Sequence, residues 1–174
     1  MKKLLIASMA CLALCGCATS SVKLNYSTGS KPVVAVLPLN GLHGEQASDY
    51  ITEQLAVNGI LPVERAQMDT ILAQQGIRDY KNFDKSTLAD YGKMLGVKKL
   101  FIGTISEISG SLYSFPHVNM TLKLIDVSTG NVLWIGRYGN SLWTSAISTQ
   151  GDIQRGAKWI VQEFIKVYGR DLEQ

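Results

Sequence analysis

The run Leu14-Cys15-Gly16-Cys17 carries the clearest chemistry in this chain. It follows Lys2 and Lys3 and the apolar stretch Leu4 to Leu14, a hydrophobic segment too short to span a bilayer stably. A small residue followed by cysteine at the end of such a stretch has the form of a bacterial lipobox. The expected chemistry is acylation of Cys17 and removal of residues 1–16 as a signal peptide. Of the three cysteines, Cys11 and Cys15 leave with that peptide, so the mature chain has no pair from which to form an internal disulfide. Each buried lipid CH₂ contributes on the order of 0.8 kcal/mol, and more than one acyl chain gives stable membrane attachment.

The remaining reactive side chains are sparse. A zinc site needs three or four converging His, Cys or carboxylate ligands. With only His43 and His117 and no free cysteine, no metal is expected. Gly41-Leu42-His43-Gly44 follows an apolar run and precedes a helical pattern, where backbone N–H groups can hold an anion. It lacks the lysine of a phosphate-binding loop, so an ordinary turn is the better reading. His43 could act as a general base only with an orienting acid and a nucleophile beside it. Asp69, Asp79, Asp84, Asp90, Glu107 and Asp126 are scattered and read as caps and solvated positions. Arg65 reads as a structural tie from a strand end to the neighbouring helix. No catalytic residue and no cofactor is expected.

The bulky apolar residues are more suggestive. Leu112, Tyr113 and Phe115 lie in the short piece SGSLYSFPH between two apolar strands, and Tyr138, Leu142 and Trp143 lie in and beyond the return strand. Aromatic residues are favoured in recognition patches. Leu112, Tyr113, Phe115, Tyr138 and Trp143 are therefore candidates for binding a partner; the competing reading is that they close the open end of a sheet.

Charge narrows the partner classes. The chain carries 17 Lys and Arg against 14 Asp and Glu, a net charge of +3. Residues 1–16 hold two lysines and no acid, so their removal leaves +1. A nucleic-acid partner would call for a basic patch, and none is expected. Residues 17–31 are polar and rich in Ser, Thr and Gly, the composition of a tether. Its ~14 residues after the cysteine reach at most about 50 Å.

Residues 32–174 read as one domain. Val33 to Leu39 is a continuous apolar run, the pattern of a central strand covered on both faces. Helices are predicted over Asp49 to Asn58, Ala66 to Gln75 and Ser86 to Leu95, with a short strand Ile60 to Val63 between the first two. Val97 to Ile108 is a strand. In the next, Val118, Met120, Leu122 and Leu124 share one face by strict alternation. Ser128-Thr129-Gly130-Asn131 supplies a turn, and Val132 starts the return strand. A last helix, capped by Asp152, carries the stripe Ile153, Ala157, Ile160, Val161, Phe164 and Tyr168. The order is β-α-β-α-α-β-β-β-α. It predicts an α/β fold: a mixed sheet of four or five strands with helices packed on it.

Leu95-Gly96, Ile102-Gly103-Thr104 and Val127-Ser128-Thr129-Gly130, with Val34 to Pro38 and Val63-Glu64-Arg65 upstream, resemble the curli-secretion lipoprotein (CsgG) family in their order and spacing. They are similar also to the LpoB-type activators of penicillin-binding proteins. The first resemblance implies a periplasmic lipoprotein that assembles with itself or another envelope protein in surface-structure export. The second implies a regulator that binds a peptidoglycan synthase. Ala18 after the anchor implies, by the same likeness, sorting to the outer membrane with the domain on its periplasmic face. Secretion channels insert membrane hairpins between these strands, whereas residues 109–116 are only ~8 long against the about 9–11 of one membrane strand, so no pore is expected. The expectation is a non-enzymatic assembly or scaffold module, with the synthase regulator and an enzyme using His43 as alternatives.

Overall fold

The computed structural model describes residues 33–77, 85–108, 117–139 and 148–168. In chain order these form β1 (Val34–Val36), α1 (Gly44–Val57), α2 (Arg65–Gln74), α3 (Lys85–Leu95), β2 (Lys99–Ile108), β3 (His117–Asp126), β4 (Val132–Gly139) and α4 (Thr149–Tyr168). The sheet runs β1-β2-β3-β4. β1 is parallel to β2, across a connection holding three helices, and the other two pairings are antiparallel. This is the expected mixed α/β sheet, with four strands.

Alternation decides which side chains meet which helix. Val118, Met120, Leu122 and Leu124 on β3 all lie on one face and are buried, with Val36, Phe101 and Ile105 beside them. They pack against Ala47, Ile51 and Leu55 of α1 and Ile153, Ala157, Ile160, Val161 and Phe164 of α4. The opposite face buries Ala35, Leu37, Leu100 and Ile125 under Met68 and Leu72 of α2 and Leu88, Tyr91 and Leu95 of α3. The result is a sheet between two helical layers. Arg65 ties the layers' edges: its Nε donates to Asp49 Oδ1 at 3.0 Å and its Nη2 to the Glu45 carbonyl at 3.3 Å, joining the start of α2 to α1.

Three expectations are corrected. Ile60–Val63 forms no strand; it touches β1 only through a bridge between Val34 and Pro62. Pro62 has no N–H to donate, so a ladder cannot extend through it. Its neighbours do the pairing, with Val33 N–H donating to Leu61 O and Val63 N–H to Val34 O, each at 2.9 Å. β1 is consequently an edge strand rather than a central one, with this segment covering its edge. Its apolar run stays buried because helices cover both faces. Asp152 does not cap α4: Ser148 does, its Oγ accepting from Gly151 N–H at 3.1 Å, while Asp152 lies inside the first turn and points into the core.

The β3–β4 turn is held by one carboxylate. Asp126 Oδ1 accepts from Ser128 Oγ at 2.6 Å, Thr129 N–H at 2.8 Å and Thr129 Oγ1 at 3.0 Å. The Ser128 hydroxyl first, then the Thr129 N–H, hold the Asp126 carboxyl below its ordinary range. Past the turn, a register shift at Leu124/Ile125 skips Leu133, and the Tyr168 hydroxyl donates to the Leu133 carbonyl at 3.1 Å.

The register gives the domain two distinct ends. Val34, Lys99, Asp126, Val132 and Tyr168 gather at one, which we call the base. Ile108, His117, Gly139 and the start of α4 gather at the other, the apex. A ten-residue strand such as β2 separates them by roughly 30 Å.

Candidate functional site

The apex is built around the loop between β1 and α1. Pro38 interrupts the β1–β2 ladder, which resumes at Asn40: its N–H donates to Gly103 O at 2.9 Å and its carbonyl accepts from Ile105 N–H at 2.8 Å. The next four residues then turn into α1 under tight constraint. A Cβ on Gly41 would overlap the Ile105 carbonyl, and one on Gly44 would overlap the Leu39 carbonyl. Neither position admits a side chain without moving backbone. The buried Ser48 holds the loop from below, its Oγ accepting from Leu39 N–H at 3.0 Å and lying 2.7 Å from Gly44 O.

His43 sits in the left-handed region at φ 64 and ψ 17, and is the one non-glycine residue with positive φ among those described. That conformation costs a non-glycine residue roughly 1–2 kcal/mol. Its side chain lies against the end of β2, with Nε2 3.3 Å from Glu107 Oε2. Glu107 Oε1 in turn accepts from Thr149 Oγ1 at 2.9 Å. One carboxylate therefore joins the α1 loop, the end of β2 and the start of α4. Beside it, Gln150 Nε2 donates to the Tyr50 hydroxyl at 2.9 Å, a second tie between α4 and α1.

This arrangement does not have the order that nucleophilic catalysis needs. A base must sit between the nucleophile and its orienting acid. Here the acid is in the middle: the Thr149 hydroxyl and His43 both meet Glu107, and the hydroxyl is not on the imidazole. Among the described residues no group of three or more His, Cys, Asp or Glu could hold a metal. The cluster reads as a clamp.

A second polar group lies under the sheet's edge. The described pairing of β3 with β4 ends at Asn119↔Gly139, two residues short of the start of β3 at His117, and the Val118 N–H lies beyond it. Asp152, fully buried, accepts that N–H through Oδ2 at 3.0 Å and the Tyr138 hydroxyl through Oδ1 at 2.9 Å. Burial first, then the bond to the Asp152 carboxylate, pushes the Tyr138 phenol up to about 12.

Of the candidates named from the sequence, Tyr138 is described: it is half-buried, packs on the core and faces α4 beside Trp159, whose ring centroid is 6.2 Å away. Cys17, Leu112, Tyr113, Phe115 and Trp143 lie outside the described residues. The connections that hold the last four, 109–116 and 140–147, begin and end at the apex, where Ile108 pairs with His117 and Gly139 and Thr149 stand. The Glu107 and Thr149 beside His43 carry no sequence signal, being 64 and 106 residues away. Leu42, 68% exposed on the same loop, also went unremarked. An apolar side chain between two glycines was the available clue.

The described residues thus form a small α/β domain whose apex is clamped by one shared carboxylate. The chain belongs to the LpoB family: the family described as peptidoglycan-synthase activator LpoB matches residues 26–139. That finding overturns the curli-secretion likeness and favours the regulator that stood as its alternative. The physical reason is visible in the shared motifs. The Val127 to Gly130 run makes a turn and Val34–Val36 a strand, so they encode the frame and do not separate one family on it from another. Among solved structures the fold resembles lipoprotein GNA1162 from Neisseria meningitidis, at 15% identity over 81% of this chain and 99% of that one, TM-score 0.53. It also resembles the LpoB C-terminal domains of Escherichia coli, at 21% identity over 66% and 87%, TM-score 0.48, and of Salmonella enterica, at 18% over 66% and 87%, TM-score 0.46. No curated protein matches the chain.

Proposed function

We propose that this protein is a lipid-anchored activator of a peptidoglycan synthase, held to the outer membrane through Cys17 with its domain in the periplasm. The observation that carries the reading is the family match over residues 26–139. Two features of the chain agree with it. The lipobox ends in Cys17, and the cluster at His43 has the geometry of a clamp rather than of a reaction centre. The partner is a protein, met through the apex, where Leu112, Tyr113, Phe115 and Trp143 lie on connections that leave from it and Tyr138 stands at the end of β4. Attachment in this reading rests on the lipid at Cys17.

The test is reconstitution. The full acylated chain, added in detergent to the purified full-length bifunctional peptidoglycan synthase of the same cells, is expected to raise the rate of glycan polymerisation severalfold. An unchanged rate at saturating protein, with no complex detected, would refute the activator reading. Anchoring is tested separately: Cys17→Ser should abolish labelling by a radioactive fatty acid and release the protein from the outer-membrane fraction. Labelling of that variant at the wild-type level would show that Cys17 is not the acylated residue.

A further inference from the structure

We propose that Leu42 is an anchor residue that the domain presents, preformed, to an apolar socket on its protein partner; this rests on the activator reading above. Leu42 is the most exposed large apolar side chain of the described residues, at 68%. A flexible loop would let it fold back and bury. This loop cannot: Gly41 and Gly44 lie against the carbonyls of Ile105 and Leu39, and His43 is held left-handed with its ring at Glu107. Glu107 is fixed in turn by Thr149, and the loop's backbone is bonded to β2 through Asn40 and to α1 through Ser48. Three elements thus hold one leucine in water, in a backbone conformation unfavourable to the residue beside it. Strain kept by surrounding structure is a mark of function, and a side chain held in one place loses little freedom on binding.

The position of the anchor decides what kind of surface Leu42 meets. The tether enters the domain at Val33, beside the base, because Val34 pairs with Lys99 at the start of β2. Leu42 lies past Asn40, which bridges to Thr104, toward the far end of the same strand. The side chain therefore stands at the end away from the tether, on the loop whose His43 meets Glu107 near the end of β2. That end is the one opposite the tether's entry, and the family's description as a peptidoglycan-synthase activator favours a protein over a lipid surface as the occupant.

The experiment measures binding of the full acylated chain to the purified synthase, alongside its thermal midpoint and its sedimentation. Leu42→Ala is expected to weaken the complex by about tenfold or more, the loss at an interface anchor, with the midpoint unchanged because the side chain is already in water. Leu42→Met, which keeps the apolar volume, is expected to bind close to wild type. If wild type binds and Leu42→Ala binds equally well, the anchor assignment fails while the activator reading stands. If Leu42→Ala alters self-association and leaves synthase binding intact, the occupant is a second copy of the chain and the proposal is overturned. If wild type does not bind the synthase, both fail together.

Discussion

Phe164→Ala is expected to remove about 3–5 kcal/mol of stability, the range for truncating a large core aromatic. Phe164 is fully buried and sits at the centre of the aromatic core. Its ring meets Phe101 of β2 edge-on at 5.0 Å, Trp134 of β4 edge-on at 5.2 Å and Tyr168 of α4 in a stack at 6.0 Å. Each such pair adds roughly 0.5–1.5 kcal/mol beyond buried area. The cavity left by alanine would open between α4 and the strands β2 and β4, whose positions are fixed by their common pairing with β3. Domains of this size are stable by roughly 5–15 kcal/mol, so the variant should stand near the edge of folding. Urea unfolding should show a large fall in midpoint at constant m. Trp159→Ala on the outer side of the same helix is the control: its side chain is 43% exposed and the fall should be small. A Phe164→Ala midpoint close to wild type would mean that α4 does not pack on the sheet as described.

What the sequence disclosed about this core follows from periodicity. The alternation in β3 and the stripe along α4 each point one way, and every residue of those two sets is buried except Tyr168, which is half-buried. Ile60–Val63 misled because an apolar run was weighed without the missing N–H of Pro62. α1 begins at Gly44 rather than Asp49; the apolar spacing of Ala47, Ile51 and Leu55 reaches back into its first turn, but the residue at its N-cap, His43, makes no side-chain cap to mark the start. The apex was illegible for a different reason. Its contacts join loop, strand and helix ends far apart in the chain, and a carboxylate shared between His43 and Thr149 leaves no local pattern. Asp152 shows the same limit. Near the start of a helical stripe, an aspartate looks like a cap from the sequence; only the fold brings to it the Val118 N–H, 34 residues away, that it accepts.

That N–H makes Asp152 the polar position with the largest expected effect. Asp152→Ala would leave the Val118 N–H buried without this acceptor and strip the Tyr138 hydroxyl of its partner. An orphaned buried polar group costs about 1–3 kcal/mol, more when the lost partner was charged, so two together should cost roughly 2–5 kcal/mol. Asp152→Asn keeps one acceptor oxygen but turns an NH₂ toward the other donor, and should fall between alanine and wild type. Tyr138→Phe removes one of the two bonds and leaves Val118 served, so its cost should be the smaller share. The pH dependence separates the two partners. With the folded phenol raised from 10.0 to about 12, the folded state holds the proton more tightly than the unfolded chain. The Tyr138 contribution is then complete below the unfolded value and lost as pH rises from there through the folded value. Wild type should lose stability on this account across that alkaline interval, and Tyr138→Phe should lack that component. An alkaline profile of Tyr138→Phe superimposable on wild type would show that the phenol is not bound to Asp152. An Asp152→Ala variant of undiminished stability would show that Val118 finds its acceptor elsewhere.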